Sequence, residues 1–298
     1  MQNGKSVFSA QIANYLGHGD TRTDFSDGRW SWNVIDLKLG RYKARLKQQR
    51  DVVANKVKPG GLIYTTDLEI HGIGKFAEGE SVTNDLCRLL SLASFSQVVP
   101  MNYMFEGKGR ALGYLKYEAM YFRPLINIKC GKTAHAYLEK TWTPYRKLKR
   151  VRKLAEVIEM LTTAELPIQP LEVKLAQIFI VMENLKGTHA KANKIPFEKG
   201  SFRHVVSPGK PLHKQPKLGF ESLLKAMLSD VGMKPGLKRI IRLRNEIIHF
   251  GLSRKPYESL RKDYDYCHDI VREYLLRLLS YDGKYLLYSH AARTMKEI

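Results

Sequence analysis

The sequence predicts an α+β protein, with a β-rich α+β domain over residues 1–145 and an all-α helix bundle over residues 146–298. Three observations predict it. Before residue 140, aromatic and β-branched residues come in short runs broken by glycine, as strands do. After residue 150, apolar residues recur at helical spacing. The length of 298 residues exceeds the roughly 100–200 of one domain.

The elements follow in order. Residues 1–27 are polar and show no clear period. Trp30–Leu39 is aromatic and partly alternating, and Leu62–Ile70 after Gly60-Gly61 is a second strand candidate. Asn84–Leu92 reads as a short helix with Leu86, Leu89 and Leu90 on one side. Val98–Phe105 and Leu112–Phe122 suggest strands around a Gly107–Gly109 turn. Val151–Thr162 has helical spacing, and Pro167 and Pro170 then stop and restart the chain. Leu171–Leu185 carries a wide apolar face. Residues 186–218, with four prolines, read as a long insertion, followed by helices at Phe220–Val231, Leu237–His249 and Tyr257–Ser280. Helices joined by loops make a bundle.

Composition narrows the function classes. Lys and Arg total 50 against 29 Asp and Glu, a net charge of +21. Residues 1–150 hold 24 basic against 13 acidic side chains, and the remainder 26 against 16, so the excess is no detachable tail. Such a surplus attracts polyanions, nucleic acid above all. No apolar run approaches the ~20 residues of a membrane span, and the start at Met1–Lys5 lacks a signal-peptide h-region. The expectation is a soluble cytoplasmic protein with no membrane partner. Cys87, Cys130 and Cys267 are odd in number and far apart, as reduced thiols are. There is no C-x-x-C and no ligand-spaced histidine cluster, so neither a metal nor another cofactor is expected. Walker A, G-x-G-x-x-G and G-x-S-x-G patterns do not occur.

The sharpest local feature is Arg242-Leu243-Arg244-Asn245-Glu246-Ile247-Ile248-His249-Phe250-Gly251. Gly251 fits a helix C-terminal stop, which puts His249 in the last turn, where the helix dipole favours a cation. Asn245 and His249, four residues apart, share a face. Arg244 lies five residues before His249, about 140° away at ~100° per residue. A site using both needs a groove around the helix end or a second copy of the segment facing it. These residue types suit phosphodiester cleavage without a metal. Histidine moves protons near neutral pH, arginine holds charge on phosphate oxygens, and asparagine orients a hydroxyl or the imidazole. R-x-x-x-x-H is only two fixed residues, so the pattern alone also recurs by chance in basic proteins.

Arg244-Asn245-Glu246-Ile247-Ile248-His249 resembles the R-x(4–6)-H signature of HEPN ribonucleases, in which the residue after the arginine is often Asn, Asp or His. Phe179-Ile180-Val181-Met182-Glu183-Asn184-Leu185 resembles the first-helix pattern of ApeA-like HEPN members, and Asp85–Ala93 a segment seen before that domain. The resemblance is carried by motifs over about residues 165–285. It implies a HEPN-like bundle and a metal-independent endoribonuclease in which two copies line one cleft. The RNA 2′-hydroxyl would attack the adjacent phosphate, leaving a 2′,3′-cyclic phosphate and a 5′-hydroxyl. His249 would be general acid or base, Arg244 would bind phosphate and Asn245 would orient groups. Many relatives act in antiphage defence or as toxins, and some are inactive.

Further basic segments extend the expected RNA surface. Arg146, Lys147, Lys149 and Arg150 open a run with six charges in eight residues, ending at Arg152 and Lys153. Lys238, Arg239 and Arg242 precede the motif. The insertion 186–218 carries eight basic residues and one acid, Glu198, as an RNA grip or a solvated loop. Tyr103, Phe105, Tyr114, Tyr117, Tyr121 and Phe122 interleave with Lys108, Arg110 and Lys116, a pattern that core strands and base-stacking sheets share. Two rivals to a nuclease remain: a non-catalytic RNA-binding or scaffold protein on the same fold, and a regulatory module held by an acidic partner such as an antitoxin. A magnesium-dependent nuclease is more distant, for want of a carboxylate cluster beside the motif.

Overall fold

The computed structural model of the chain describes residues 7–49, 61–113, 123–290 and 294–298. It divides into two compact units, Met1–Arg146 with Leu279–Ile298, and Lys147–Leu278. The last twenty residues therefore lie with the first unit, whereas the sequence places them in the helical bundle.

The first unit is built on an antiparallel sheet of β1 (Phe8–Ala13), β2 (Thr21–Asp24), β3 (Trp30–Leu39), β4 (Tyr42–Gln48), β5 (Tyr64–His71), β6 (Val99–Phe105) and β7 (Lys108–Ala111). The strand order is β2-β3-β4-β5-β1-β6-β7. Strand side chains alternate faces, and the register collects one face into a core. Ile35 pairs with Leu46, Leu46 with Leu68, Leu68 with Ala10 and Ala10 with Tyr103, and all five are buried. One residue along each strand, Asp36, Arg45, Glu69, Ser9 and Met104 form the matching row on the polar face. A trough of about 310 Å³ lies on that face, lined by Gln11, Arg45, Lys47, Asp67 and Asn102 among others.

Helix α1 (Phe76–Ser94) packs on β1 and β6. Val82, Leu86, Leu89 and Leu90 on it are at most 1% exposed, each burial stabilising by roughly 1.5–3 kcal/mol. Phe8 sits so close to Gly79 that a Cβ there would lie 2.1 Å from its ring, so this position needs glycine. Glu78 secures the helix start. Its carboxylate accepts the Gly74 N–H at 2.9 Å and the Tyr42 hydroxyl at 2.7 Å, and pairs with Arg41. Helix α2 (Gly131–Leu148) buries Tyr137, Trp142 and Tyr145. The C-terminal strands β11 (Lys284–Leu287) and β12 (Thr294–Glu297) pair with each other, and the Leu286 N–H donates to Leu125 O at 2.9 Å.

The sheet corrects several expectations. α1 begins eight residues before the predicted short helix. Residues 108–111, expected as part of a turn, form β7. The predicted strand Leu112–Phe122 falls mostly on residues 114–122, outside the described residues, as do Tyr114, Tyr117, Tyr121, Phe122 and Lys116. Tyr103 and Phe105 are buried in the core, so neither ring is presented for stacking.

The second unit contains α3 (Leu154–Ala164), α4 (Leu171–Ala192), α5 (Phe220–Asp230), α6 (Lys238–Phe250) and α7 (Tyr257–Leu278). Helix α4 is central, touching α3, α5, α6 and α7. Contact on several sides explains why Leu175, Ile178, Phe179, Val181, Met182 and Leu185 are all buried. Arg152 enters this core with 5% exposure. It donates to Leu185 O at 3.0 Å, Thr188 Oγ1 at 3.2 Å and the Tyr274 hydroxyl at 2.5 Å. A buried guanidinium is tolerable only with such partners, so Arg152 is structural while its neighbour Val151 is exposed. Glu165 plays a similar part, accepting from the Tyr264 hydroxyl at 2.7 Å and lying 2.9 Å from His268 Nε2.

The helical unit is not all-α. The basic insertion begins as the last turns of α4 and continues as β8 (Phe197–Glu198), β9 (Ser201–Arg203) and β10 (Lys217–Leu218), in the order β10-β9-β8. Phe202 packs with Ala190 and Leu223, flanked by Ile195 and Leu218. Between the strands, Gln215 accepts the Val206 N–H at 3.1 Å and donates to Ser207 O at 2.6 Å.

Candidate active site

Helix α6 presents the motif because of where its apolar residues fall. Ile240, Leu243 and Ile247 are buried at i, i+3 and i+7 and fix its inner face. That rotation leaves Arg242, Asn245 and His249 exposed and Arg244 on the flank, its side chain 22% exposed. Gly251 ends the helix at φ 74°, its N–H donating to Ile247 O at 2.9 Å. The next residues fold back on the helix. Glu246 accepts the Arg254 N–H at 2.9 Å and the Ser253 hydroxyl at 3.1 Å. The Arg254 N–H, ahead of the hydroxyl and Lys255, holds the Glu246 carboxyl below its usual range. His249 therefore stands in the last turn of a helix whose end is pinned on both sides.

Arg244 is held by three neighbours from different parts of the unit. Nη2 donates to Glu183 Oε1 of α4 at 3.0 Å, and Nη1 donates to Asn245 Oδ1 at 3.1 Å. The guanidinium lies 5.2 Å from the ring centre of Phe220, the first residue of α5. Asn245 thus orients the arginine in this structure, where the sequence reading gave it the substrate hydroxyl or the imidazole. His249 has no hydrogen-bond or ion-pair partner among the described residues. Ile248, Phe250 and Leu252 beside it are 43%, 79% and 69% exposed.

Most of the predicted basic residues are exposed, and carboxylates engage Arg146 and Arg239. Arg146 belongs to the first unit, pairing with Asp85 at 3.3 Å and lying over the rings of Trp142 and Tyr42. Arg239 binds Asp263, which is 1% exposed and also takes Lys255, and lies over Tyr266. These two are tied into the structure. Lys147, Arg150, Lys238 and Arg242 are exposed, and Lys149 is half-buried.

Glu183, Lys186 and Phe220 are the neighbours that sequence spacing does not assign to Arg244. The i, i+3 spacing of Glu183 and Lys186 shows that they pair on α4, but only the fold brings α5 and α6 to them. Among the described residues, no group of three or more His, Cys, Asp or Glu side chains is placed to hold a metal ion. No helix among them is long and apolar enough to cross a membrane. In comparisons with family models, curated proteins and solved structures, nothing matches this chain.

Proposed function

We propose that this chain is a metal-independent endoribonuclease of the HEPN type, working as a homodimer. The observation that carries this reading is the pairing of an accessible His249 with a pre-positioned Arg244 on one pinned helix end. In the reaction, the 2′-oxygen bonds to the adjacent phosphorus as its proton leaves. The bond to the 5′-oxygen of the next nucleotide breaks, and that oxygen takes up a proton. His249 serves one of these transfers, and a second copy's imidazole serves the other. Arg244 binds the non-bridging oxygens as charge builds on them. Asn245 keeps the guanidinium fork aimed.

The dimer is supported by the exposed apolar side chains around His249, which a second copy would cover, and by the divergence of Arg244 and His249 on one helix. The first unit, with its polar trough, would place the substrate or sense a trigger. A cytoplasmic role in antiphage defence or as a toxin, restrained by an acidic partner, fits the same reading and the +21 charge.

The test is cleavage of RNA with EDTA present. His249→Ala and Arg244→Ala are expected to lose about 10²–10⁴-fold in rate, and the histidine variant to keep RNA binding. Parental cleavage by both variants would refute the assignment. That His249 has no partner among the described residues favours one alternative, a non-catalytic RNA-binding protein on this fold. Uncleaved RNA bound with a steep salt dependence would select it.

A further inference from the structure

Beside Arg244 lies a second cation with no assigned role. Lys186, on α4, is only 12% exposed, and its Nζ lies 2.8 Å from Glu183 Oε2. The other oxygen of the same carboxylate, Oε1, takes Arg244 at 3.0 Å. Two cations thus share one carboxylate, and Lys186 lies over the same Phe220 ring as Arg244, at 5.6 Å. Arg244 Nε is buried and has no acceptor among the described residues.

The charges do not balance. A guanidinium and an ammonium, both mostly withdrawn from water, face one carboxylate that is 37% exposed. Taking a charge out of water is unfavourable unless it is paired, so the cluster is one anion short. Packing alone would be served as well by a neutral side chain at position 186. We propose that Lys186 and Arg244 form a two-cation cradle for one phosphate of the bound RNA, with Glu183 as its positioning residue. The identity of the anion as an RNA phosphate rests on the nuclease reading; the anion site itself does not.

The shape of the cluster argues for a phosphodiester. Its two non-bridging oxygens diverge from one atom, as the two oxygens of a carboxylate do, and Glu183 already shows that the cations can engage such a pair. The planar arginine fork supplies directed hydrogen bonds, and the lysine supplies a point charge. The face of the Phe220 ring attracts both cations. Three helices contribute: α4 gives Glu183 and Lys186, α5 gives Phe220 and α6 gives Arg244. The cradle therefore exists only in the folded unit.

The experiment uses the full chain and two probes, inorganic phosphate and a short single-stranded RNA made uncleavable by 2′-deoxy substitution. In the parent, the Arg244 Nε–H resonance, assigned by its loss in Arg244→Lys, is expected to shift on titration with phosphate. Lys186→Ala and Lys186→Gln are expected to bind the RNA about tenfold more weakly. The log–log salt slope should fall by about 0.7, the single-strand value for one lost phosphate contact. On cleavable RNA these variants should raise KM more than they lower kcat, and Lys186→Arg should restore both. An unmoved resonance in the parent overturns the proposal whatever the Lys186 variants do. So does parental RNA affinity and salt slope in a folded Lys186→Ala. If Lys186→Ala weakens phosphate binding while His249→Ala cuts like the parent, the cradle stands and the HEPN-type assignment of His249 falls.

Discussion

Replacing Arg244 by lysine keeps a positive charge and removes its geometry. In the structure the guanidinium donates to Glu183 at 3.0 Å and to Asn245 at 3.1 Å while lying 5.2 Å from the Phe220 ring centre. An ammonium cannot span both acceptors and stack as a plane. Hydrogen bonds of this kind contribute about 0.5–1.5 kcal/mol each, and a side chain 22% exposed with screened partners belongs at the low end. Arg244→Lys is thus expected to lower stability by about 1 kcal/mol, a shift of a few degrees in melting temperature. The rate should suffer far more, because a donor aimed at developing charge contributes about 10²–10³-fold. The expected result is at least a hundredfold loss of kcat, about 2.7 kcal/mol of barrier, measured on labelled RNA with EDTA present. Cleavage at the parental rate would refute the claim that the fork, and not the charge alone, does the work. A large melting shift with a proportionate loss of activity would reduce Arg244 to a structural residue.

Three further outcomes follow from the same geometry. Leu243→Ala, at a position 1% exposed on the inner face of α6, should destabilise the helical unit by about 2–5 kcal/mol, read as faster proteolysis of that unit. Phe250→Asp, at a position 79% exposed, should leave the fold unchanged yet dissociate the dimer in sedimentation, if two copies meet at this helix end. The third concerns acid. The Gly74 N–H, then the Tyr42 hydroxyl, and Arg41 hold the Glu78 carboxyl at about 2 against the opposing effect of burial. A depressed folded-state value means that this contribution is complete above the ordinary value of 4.5 and is lost as pH falls toward about 2. Glu78→Gln should therefore flatten the stability profile of the first unit across that window, measured by denaturant melts.

The parts that could be read from the sequence are those whose pattern is local. Trp30–Leu39 is a strand as predicted, and α6 follows from the spacing of Ile240, Leu243 and Ile247 and from Gly251. β4 alternates without a break, Tyr42, Ala44, Leu46 and Gln48 inward against Lys43, Arg45 and Lys47 outward. It goes unread because three cations in seven residues mask a short apolar face that only its neighbours reveal. β8, β9 and β10 have two or three residues each, too few for any period to appear. Arg152 is hidden differently: in a run of six basic residues nothing local marks the one that turns inward to Leu185 and Tyr274. At the candidate site, the helix carrying Arg244 and His249 was legible, whereas Glu183, Lys186 and Phe220 reach Arg244 only through packing of α4 and α5 against α6.

The most direct test of the central claim is the chemistry of the RNA ends made by the purified chain in EDTA, with His249→Ala run in parallel. Attack by the 2′-hydroxyl predicts 2′,3′-cyclic phosphate and 5′-hydroxyl ends from the parent and at least a hundredfold fewer from the variant. Ends bearing 3′-hydroxyl and 5′-phosphate, formed only when magnesium is supplied and formed equally by His249→Ala, would contradict it.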